Sequence, residues 1–258
     1  MAKQLTHSEE TDFEAFEEKR KQLRELIDGS DNIVFFGGAG VSTESGIPDF
    51  RGKDGLYNQT YKYPPEEIIS RRFFAHHTDE FFEFYTKKCI AGDAKPNAAH
   101  IELARLEALG KLSAVITQNI DGLHTDAGSK NVYEIHGSVR RNYCLSCGKM
   151  FDEHYILGFG GFSPSCDICG GLVRPDIVLY GENLPEAAVE NSIKAIKEAD
   201  MLIVGGTSLT VYPASGFVDY YKGNKLVLIN KTPTEYDMKA DLLIRGSIGH
   251  ALRYEKGE

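Results

Sequence analysis

Four of the five cysteines form two close pairs with the spacing of a metal site. Cys144 pairs with Cys147 and Cys166 pairs with Cys169, and 18 residues separate the two pairs. Each pair can present two thiolates to one ion, so together they complete a tetrahedral shell of four sulfurs. Such a closed shell leaves no position for a reacting water, which predicts one structural zinc ion per chain and argues against a zinc hydrolase. A redox dithiol is the alternative, which two pairs at this spacing disfavour.

A glycine-rich loop follows the first predicted strand, where residues 35–52 read FFGGAGVSTESGIPDFRG. Gly38-Ala39-Gly40 supplies the first two glycines of a dinucleotide-binding turn, but Thr43 stands where the third is expected. The acidic residue that dehydrogenases carry about 20 residues further on would fall in an aromatic-rich insertion rather than after a second strand. The loop therefore predicts a dinucleotide bound in another way, and a plain strand-to-helix turn is the alternative.

Polar residues follow several other predicted strands. These clusters are Thr117-Gln118-Asn119-Ile120-Asp121, Glu134-Ile135-His136-Gly137, Gly206-Thr207-Ser208 and Asn230-Lys231. Because ligands of open parallel sheets collect at the carboxyl ends of the strands, we expect the clusters to meet beside the glycine loop. His136 titrates near neutral pH and is the candidate base for taking a proton from a hydroxyl, with a structural histidine as the alternative. Asn119 and Asp121 suit an amide or ribose hydroxyls, and ordinary turn chemistry is their alternative.

The elements that must position these residues alternate between strands and helices. The predicted strands cover 33–36, 113–117, 132–136, 201–204, 226–230 and 241–244, and the predicted helices include 11–27, 97–109 and 187–199. This alternation predicts an α/β fold with a Rossmann-like parallel sheet. Two segments interrupt this alternation of strands and helices. One is the aromatic-rich segment 53–96, and the other is the cysteine-bearing segment 141–172. We expect these two modules to form a smaller zinc-binding and helical domain, and the Rossmann-like, dinucleotide-binding large domain to comprise 1–52, 97–140 and 173–258.

Composition narrows the function classes. The chain has 258 residues, long enough for a sizeable core, and its formal net charge of −9 argues against binding nucleic acid through phosphate contacts. No segment approaches the ~18 apolar residues of a membrane span, and the first residues lack the apolar core of a signal peptide. We therefore predict a cytoplasmic monomer that binds neither nucleic acid nor membranes.

Taken together, the motifs resemble those of the sirtuins, most closely the bacterial type. The shared motifs are GAGVSTESGIPDFRG at 38–52, TQNID at 117–121, His136-Gly137, the two cysteine pairs, GTSL at 206–209 and Asn230. The resemblance implies an NAD-dependent protein lysine deacetylase, a transferase or hydrolase that moves the acyl group from lysine to ADP-ribose and releases nicotinamide. NAD would be the co-substrate, acylated lysines of proteins the partners, and His136 and Asn119 the catalytic residues.

The resemblance also implies which residues contact the ligands. The expected NAD contacts are Gly38, Ala39, Gly40, Thr43, Asp49, Phe50, Arg51, Gln118, Asn119, Ile120, Asp121, His136, Gly206, Thr207, Ser208, Asn230 and Ile248. Ile120 and Asp121 would hold the nicotinamide amide, and His136 would take a proton from a ribose hydroxyl that then attacks the acyl carbon. The expected borders of a substrate strand are Val178, Tyr180, Gly181, Val211 and Tyr212.

One position bears on the acyl group. Sirtuins that remove negatively charged acyl groups carry Tyr and Arg three residues apart on a small-domain helix, where this chain has Tyr85 and Lys88. The spacing predicts one shared helix face, but lysine lacks the bidentate fork of arginine, so we predict deacetylation over desuccinylation. Other lysine deacylation and protein ADP-ribosylation are the alternatives within this family. Outside the family, the alternatives are an NAD-dependent dehydrogenase and a non-catalytic NAD-sensing or zinc-mediated interaction module.

Overall fold

The computed structural model describes residues 7–50, Gly55 and residues 61–253. Its strands are β1 (Ile33–Gly37), β2 (Leu112–Thr117), β3 (Val132–Glu134), β4 (Gly137–Cys144), β5 (Met150–Phe151), β6 (Val173–Ile177), β7 (Met201–Gly205), β8 (Leu226–Ile229) and β9 (Leu242–Ile244). Its α-helices are α1 (His7–Asp28), α2 (Pro65–Ile68), α3 (Arg71–His76), α4 (Thr78–Lys88), α5 (Ala98–Ala108), α6 (Leu123–Asp126), α7 (Glu153–Leu157), α8 (Glu186–Glu198) and α9 (Ile248–Leu252). Short 3-10 helices cover Ala39–Ser45, Ala214–Tyr220 and Asp237–Lys239.

Six of the described strands form one parallel sheet in the order β3-β2-β1-β7-β8-β9. The central strands are continuous apolar runs because both faces of the sheet are covered. Ile33 and Phe35 belong to the core on one face, and Val34 and Phe36 to the core on the other. The strand order reverses between β1 and β7, and a crevice at that point is where open α/β sheets bind ligands. The predicted α/β, Rossmann-like class is confirmed.

Helices cover both faces of this sheet. On one face, Leu23 of α1, Leu103 of α5 and Leu252 of α9 are buried in a single core. On the other, Ile196 of α8 packs with Phe217 of the second 3-10 helix. None of the described helices has the length and apolar character needed to cross a membrane.

The helix predictions differ from the structure mainly at the first helix. Helix α5 lies within the predicted 97–109 region, and α8 covers the predicted 187–199 region with each end one residue earlier. The Asn97 side chain caps α5 by accepting from the Ala99 amide at 3.0 Å. Helix α1 begins at His7, four residues before its predicted start.

A second sheet of three antiparallel strands, ordered β5-β4-β6, is the main feature that the sequence did not predict. The expected strand over 132–136 ends at Glu134, and β4 begins immediately after His136. Gly137 allows this change of sheet because it has a φ of +76° and any Cβ there would lie 2.0 Å from the Asp176 carbonyl oxygen. The expected domain boundary between 140 and 141 therefore falls inside β4.

The smaller sheet shares one core with helices α2 to α4. This core is rich in aromatic rings: Phe81 lies edge-on to Phe74 and Phe82 at 4.9 and 5.3 Å and stacks on Tyr85 at 5.6 Å. Val173 of β6 is buried among the same residues. The aromatic helical module and the cysteine module thus form one packed unit, with β6 included in it.

Candidate active site

Five adjacent strands of the large sheet deliver the candidate site residues at their carboxyl ends. In sheet order these residues are His136 after β3, residues 118–121 after β2, residues 38–43 after β1, residues 206–208 after β7 and Asn230 after β8. Consecutive members of this series are joined by hydrogen bonds, so groups distant in the sequence form one connected surface. The crevice lies at the reversal of strand order.

The glycine loop makes its closest contacts with the strand-end loop after β7. The amide of Gly38 donates to the Gly205 carbonyl at 3.1 Å, and that of Gly40 donates to the Gly206 carbonyl at 2.8 Å. A Cβ on Gly40 would lie 2.7 Å from the Gly206 Cα. Because glycines have no side chain, the loop after β1 and the loop after β7 can come into backbone contact where the strand order reverses. The same lack of side chains leaves the backbone of the glycine loop open to a ligand. Ala39 and Thr43 belong to the 3-10 helix that follows.

A buried polar network connects this loop to the end of β2. The Ser42 hydroxyl donates to Asp121 Oδ2 at 2.6 Å and accepts from Asn119 Nδ2 at 3.0 Å. The Thr117 hydroxyl accepts the Asn119 amide, and Asp121 Oδ1 accepts the Leu123 amide at 2.9 Å. Ser42 and Asn119 are both buried, so the positions of the Asn119 amide and the Asp121 carboxylate are fixed before any ligand binds.

A second network runs from β2 through β7 to β8. The side-chain Nε2 of Gln118 donates to the Thr207 hydroxyl at 3.0 Å, and Asn230 Nδ2 donates to the Thr207 carbonyl at 3.2 Å. Ser208 is half-buried, and its hydroxyl is 2.8 Å from that of Thr210. These hydroxyls and amides form a polar strip on the other side of the glycine loop from Asp121, which suits hydroxyl and phosphate groups.

His136 lies at the crossing between the two sheets with its ring oriented by the backbone. Its Nδ1 is 2.9 Å from the Gln118 carbonyl oxygen, which can only accept, so Nδ1 carries the proton and Nε2 holds the free lone pair. Burial lowers the pKa of His136, although the bond to Gln118 acts in the opposite direction. The imidazole is therefore neutral near pH 7, the form that a general base requires.

The remaining expected NAD contacts are less uniform. Asp49 and Phe50 are half-buried where the glycine loop ends, and Ile120 packs against the small-domain core. Ile248 is 3% exposed, and its side chain packs against Gly206 in the core, so its expected contact with NAD stays a prediction. Arg51 lies outside the described residues.

The four paired cysteines converge as a metal site would require. All four sulfurs lie within 4.8 Å of one another, with Cys144 Sγ 3.4 Å from Cys169 Sγ and Cys147 Sγ 3.7 Å from Cys166 Sγ. These separations are too long for disulfide bonds and match the edges of a tetrahedron with metal–sulfur distances of about 2.3 Å. The residues therefore fit a closed four-thiolate zinc shell.

The expected substrate border is partly occupied by the protein's own backbone. The Tyr180 amide donates to the Ile69 carbonyl at 3.0 Å, and its carbonyl accepts from the Arg71 amide at 2.9 Å. The next residue, Gly181, is exposed and has no backbone hydrogen bond within the described residues. Strand addition is therefore open at Gly181 rather than at Tyr180.

The other substrate residues are placed as follows. The Val178 amide donates to the His136 carbonyl at 3.0 Å, which ties this segment to the candidate base. Val211 is half-buried, and Tyr212 is 85% exposed.

Tyr85 and Lys88 both lie on α4, but they differ in exposure. Tyr85 is 0% exposed and belongs to the aromatic core, and its hydroxyl has no hydrogen-bond partner among the described residues. Lys88 is exposed, with its Nζ 5.7 Å from the Tyr61 ring centroid. Helical spacing alone does not predict this difference. Tyr85 is buried because it packs with the aromatic rings of the core, whereas Lys88 stays at the surface.

Sequence reasoning missed three buried polar residues behind the site. Ser42 lies inside the glycine motif but was not singled out, and a serine between a glycine turn and a strand-end Asn could have been suspected. His100 and His124 lie with ring centroids 4.6 Å apart, and their separation in the chain follows no motif. Burial, followed by the neighbouring His100, lowers the pKa of His124 to about 3.

Comparison with known proteins agrees with this geometry. The family model described as "Sir2 family" matches residues 38–213. An NAD-dependent protein deacetylase of Clostridium acetobutylicum is 59% identical over 237 residues, covering 91% of this chain and 97% of that protein. One from Fusobacterium nucleatum is 48% identical, covering 92% of this chain and 90% of that protein.

Solved structures give the same answer. A Sir2–p53 peptide–NAD+ complex superposes with a TM-score of 0.80 at 40% identity, covering 90% of this chain and 95% of that one. A Sir2 structure bound to acetylated peptide superposes at 0.79 with 39% identity, covering 90% and 94%. The matched motifs, the shared architecture and these identities establish that the chain belongs to the Sir2 family, the sirtuins.

Proposed function

We propose that this chain is an NAD-dependent protein lysine deacetylase in which His136 is the general base. The observation that carries the proposal is the state of His136. Its imidazole is neutral, its Nδ1 is bound to the Gln118 carbonyl, and its Nε2 has no hydrogen-bond partner among the described residues. The family, and relatives named NAD-dependent protein deacetylase at up to 59% identity, support the reaction class.

The polar networks divide the work of binding NAD between them. NAD, when bound, supplies the ribose carbon at which nicotinamide is exchanged for the acyl oxygen. Asn119 and Asp121, fixed through Ser42, would hold the nicotinamide end. Thr207 and Asn230 would hold the phosphates and the adenine-side ribose, and the glycine loop would lie against the pyrophosphate. His136 would accept the proton of a ribose hydroxyl at Nε2, making that oxygen nucleophilic.

The acylated substrate would dock by main-chain pairing. Gly181, at the small-domain border, has backbone groups that are unpaired within the part of the chain that the structure describes, and the half-buried Val211 borders the other side. Recognition through the backbone gives affinity without strict sequence choice, which suits an enzyme acting on many proteins. Acetyl-lysine is the proposed substrate rather than a succinylated one, because Lys88 is exposed and Tyr85 is enclosed.

We place one zinc ion in the four-cysteine cluster with a structural role. Its four ligands would be Cys144, Cys147, Cys166 and Cys169, whose sulfur separations fit a closed tetrahedral shell. The ion would hold together the knuckles that flank β5 and β6. The division into a Rossmann-like domain and a small domain belongs to the same proposal, with β4 and β6 assigned to the small domain. A cytoplasmic, monomeric protein without nucleic-acid or membrane partners remains the prediction from sequence.

The decisive experiment is mass spectrometry of an acyl-lysine peptide panel incubated with NAD. We expect the wild-type chain to convert acetyl-lysine peptide to free lysine, releasing one nicotinamide and one O-acetyl-ADP-ribose per turnover. The His136→Ala variant should lose about 10²–10⁴-fold in kcat/KM, the usual contribution of a general base, while staying folded.

Two controls make the result specific. His76→Ala changes an exposed histidine outside the crevice and should leave the rate unchanged. Unchanged peptide with intact NAD would refute the proposal in favour of a sensor. Formation of NADH in place of nicotinamide would indicate a dehydrogenase. Formation of ADP-ribosylated peptide would indicate a protein ADP-ribosyltransferase.

A further inference from the structure

A bidentate ion pair lies directly behind the backbone that Gly181 offers to a substrate. Arg174, on β6, places Nη1 2.8 Å from Glu182 Oε1 and Nη2 3.1 Å from Glu182 Oε2. The side chains are 13% and 19% exposed, so solvent screens the pair much less than a surface pair. Glu182 follows Gly181 directly, so the pair joins the substrate border to the zinc-bearing sheet.

The same two side chains also hold the local backbone. Glu182 Oε2 accepts the Leu179 amide at 3.0 Å, and the Glu182 amide donates to the Leu179 carbonyl at 2.9 Å, which closes a turn around Gly181. Arg174 donates further to the carbonyls of Pro175 and Ile177 at 3.2 and 3.0 Å. Each charged group therefore fixes main chain on its own side of the turn.

Aromatic rings fix the guanidinium from its other sides. Its central carbon is 5.4 Å from the Phe74 ring centroid and 5.9 Å from that of Tyr143. Phe74 belongs to the helical module and Tyr143 to β4, so Arg174 contacts both parts of the small domain. Burial opposes ionisation of Glu182, but the bonds from Arg174 and Leu179 outweigh it and lower its pKa.

We infer that Arg174 and Glu182 are positioning residues that set the Gly181 backbone for pairing with the acyl-lysine peptide. The inference rests on the proposed function and extends it to the source of peptide affinity. A free turn at 179–182 would have to be ordered each time a peptide binds, and the ion pair removes that conformational cost in advance. Neither side chain belongs to the polar networks of the NAD site, so binding of NAD should not depend on the pair.

The test measures peptide binding separately from chemistry. Arg174→Lys keeps the charge but loses the fork, and Glu182→Gln keeps the shape but loses the charge. We expect each to raise the Kd of a fluorescent acetyl-lysine peptide, measured by anisotropy without NAD, by about tenfold or more. The KM for peptide should rise in step, while kcat at saturating peptide and the KM for NAD stay within about twofold. The Kd for peptide of the double variant should be no higher than that of the more impaired single variant, because the two residues act as one unit.

A matched pair in the same sheet serves as the control. The distance from Arg141 Nε of β4 to Asp176 Oδ2 of β6 is 2.9 Å, and both side chains are 44% exposed. Arg141→Lys and Asp176→Asn make the same chemical changes there and should leave peptide Kd unaltered. Melting temperature and zinc content are recorded for every variant.

The outcomes are distinct. Unchanged peptide Kd in a folded, zinc-bound Arg174 or Glu182 variant overturns the inference, as does a loss shared equally by peptide Kd, kcat and the KM for NAD. Failure of the wild-type chain to deacetylate any peptide would instead overturn the proposed function.

Discussion

The two domains of this protein hold their functional groups by different physical means. In the large domain, the site residues extend from a parallel sheet whose central strands are buried on both faces, and neighbouring strand ends fix them by hydrogen bonds. In the small domain, β5 has only two residues and the sheet only three described strands. Aromatic rings and four converging thiols take the place of an extended sheet there.

This difference teaches where the stability of each domain comes from. A six-stranded sheet covered on both sides buries enough apolar surface to be stable by itself, whereas short three-stranded sheets generally need further support. Under the proposed function, the chemistry depends on the large domain, and peptide docking depends on the small domain with its four-cysteine cluster. Perturbations of the two parts should fail in different ways.

The largest expected effect is removal of the metal. Cys144→Ser breaks a four-thiolate shell of the kind that contributes roughly 10–16 kcal/mol of zinc binding in small zinc domains. We expect zinc content to fall from one ion per chain to near zero and the small domain to unfold separately, while the parallel sheet keeps its circular dichroism signal. Zinc release to a colorimetric chelator and thermal melts measure this.

The matched control is Cys89→Ala, which changes the one cysteine outside the cluster. It should retain the ion. A single melting transition for Cys144→Ser, with both domains lost together, would contradict the separation of the two domains.

A smaller effect is expected within the hydrogen-bonded site. Ser42→Ala leaves the buried Asn119 amide and the Asp121 carboxylate without their shared partner. Such a loss costs about 1–3 kcal/mol, so kcat/KM for NAD should fall about 10- to 100-fold while zinc content is unchanged. Ser113→Ala, at the opposite end of the same sheet, is the control and should leave the rate unaltered. Full activity of Ser42→Ala would show that the network is not needed to order the crevice.

The next prediction concerns acid stability of the large domain. His124 has a folded pKa of about 3 against an ordinary value of 6.5, so the unfolded chain takes up a proton first as pH falls. Its contribution is fully present above pH 6.5 and is lost progressively towards pH 3, amounting to about 2 kcal/mol between pH 7 and pH 5.

His124→Leu tests this linkage. Neither ring nitrogen of His124 has a hydrogen-bond partner among the described residues, so an apolar replacement should cost little at pH 7. We expect urea titrations to show a shallower loss of unfolding free energy from pH 7 to pH 5 in the variant. An unchanged slope would assign the acid sensitivity to other groups, and His76→Leu provides the exposed-histidine control.

The smallest effect is expected at the acyl-selectivity position. Lys88→Arg introduces the residue found in sirtuins that remove negatively charged acyl groups, but Lys88 is exposed and Tyr85 is buried. An exposed ion pair contributes up to about 1 kcal/mol, so desuccinylation should rise by about fivefold at most and stay slower than deacetylation. Comparing kcat/KM on acetyl- and succinyl-lysine peptides decides this. A larger rise would mean that Tyr85 leaves the aromatic core to join the substrate.

The large domain was readable from sequence because its strands are apolar runs of the right length. Ile33–Gly37 and Met201–Gly205 each end in a glycine, and the residues that follow mark their carboxyl ends. Convergence of His136, Asp121 and Asn230 then follows from parallel topology alone. The cysteine spacing similarly required no knowledge of the fold.

The small domain was not readable because its order depends on tertiary contacts. Strand β4 has the mixed sequence GSVRRNYC, without clean alternation, and becomes a strand by pairing with β6. The inward turn of Tyr85 likewise depends on rings contributed by other helices, which helical spacing cannot report. Buried Ser42 and His124 were missed because nothing local distinguishes them from exposed polar residues.

The bond from His136 to the Gln118 carbonyl has a consequence for how mutations act on this protein. Many enzymes orient a histidine with a carboxylate side chain, which a single substitution can delete. Here the orienting group is a peptide oxygen, and the amide of the same residue donates to the Gly37 carbonyl at 2.9 Å. The tautomer of the imidazole thus depends on the pairing of β1 with β2, and we expect replacements of Gln118 other than proline to retain it. Substitutions at Gln118 can therefore change the side-chain contacts in the crevice without changing the tautomer of His136.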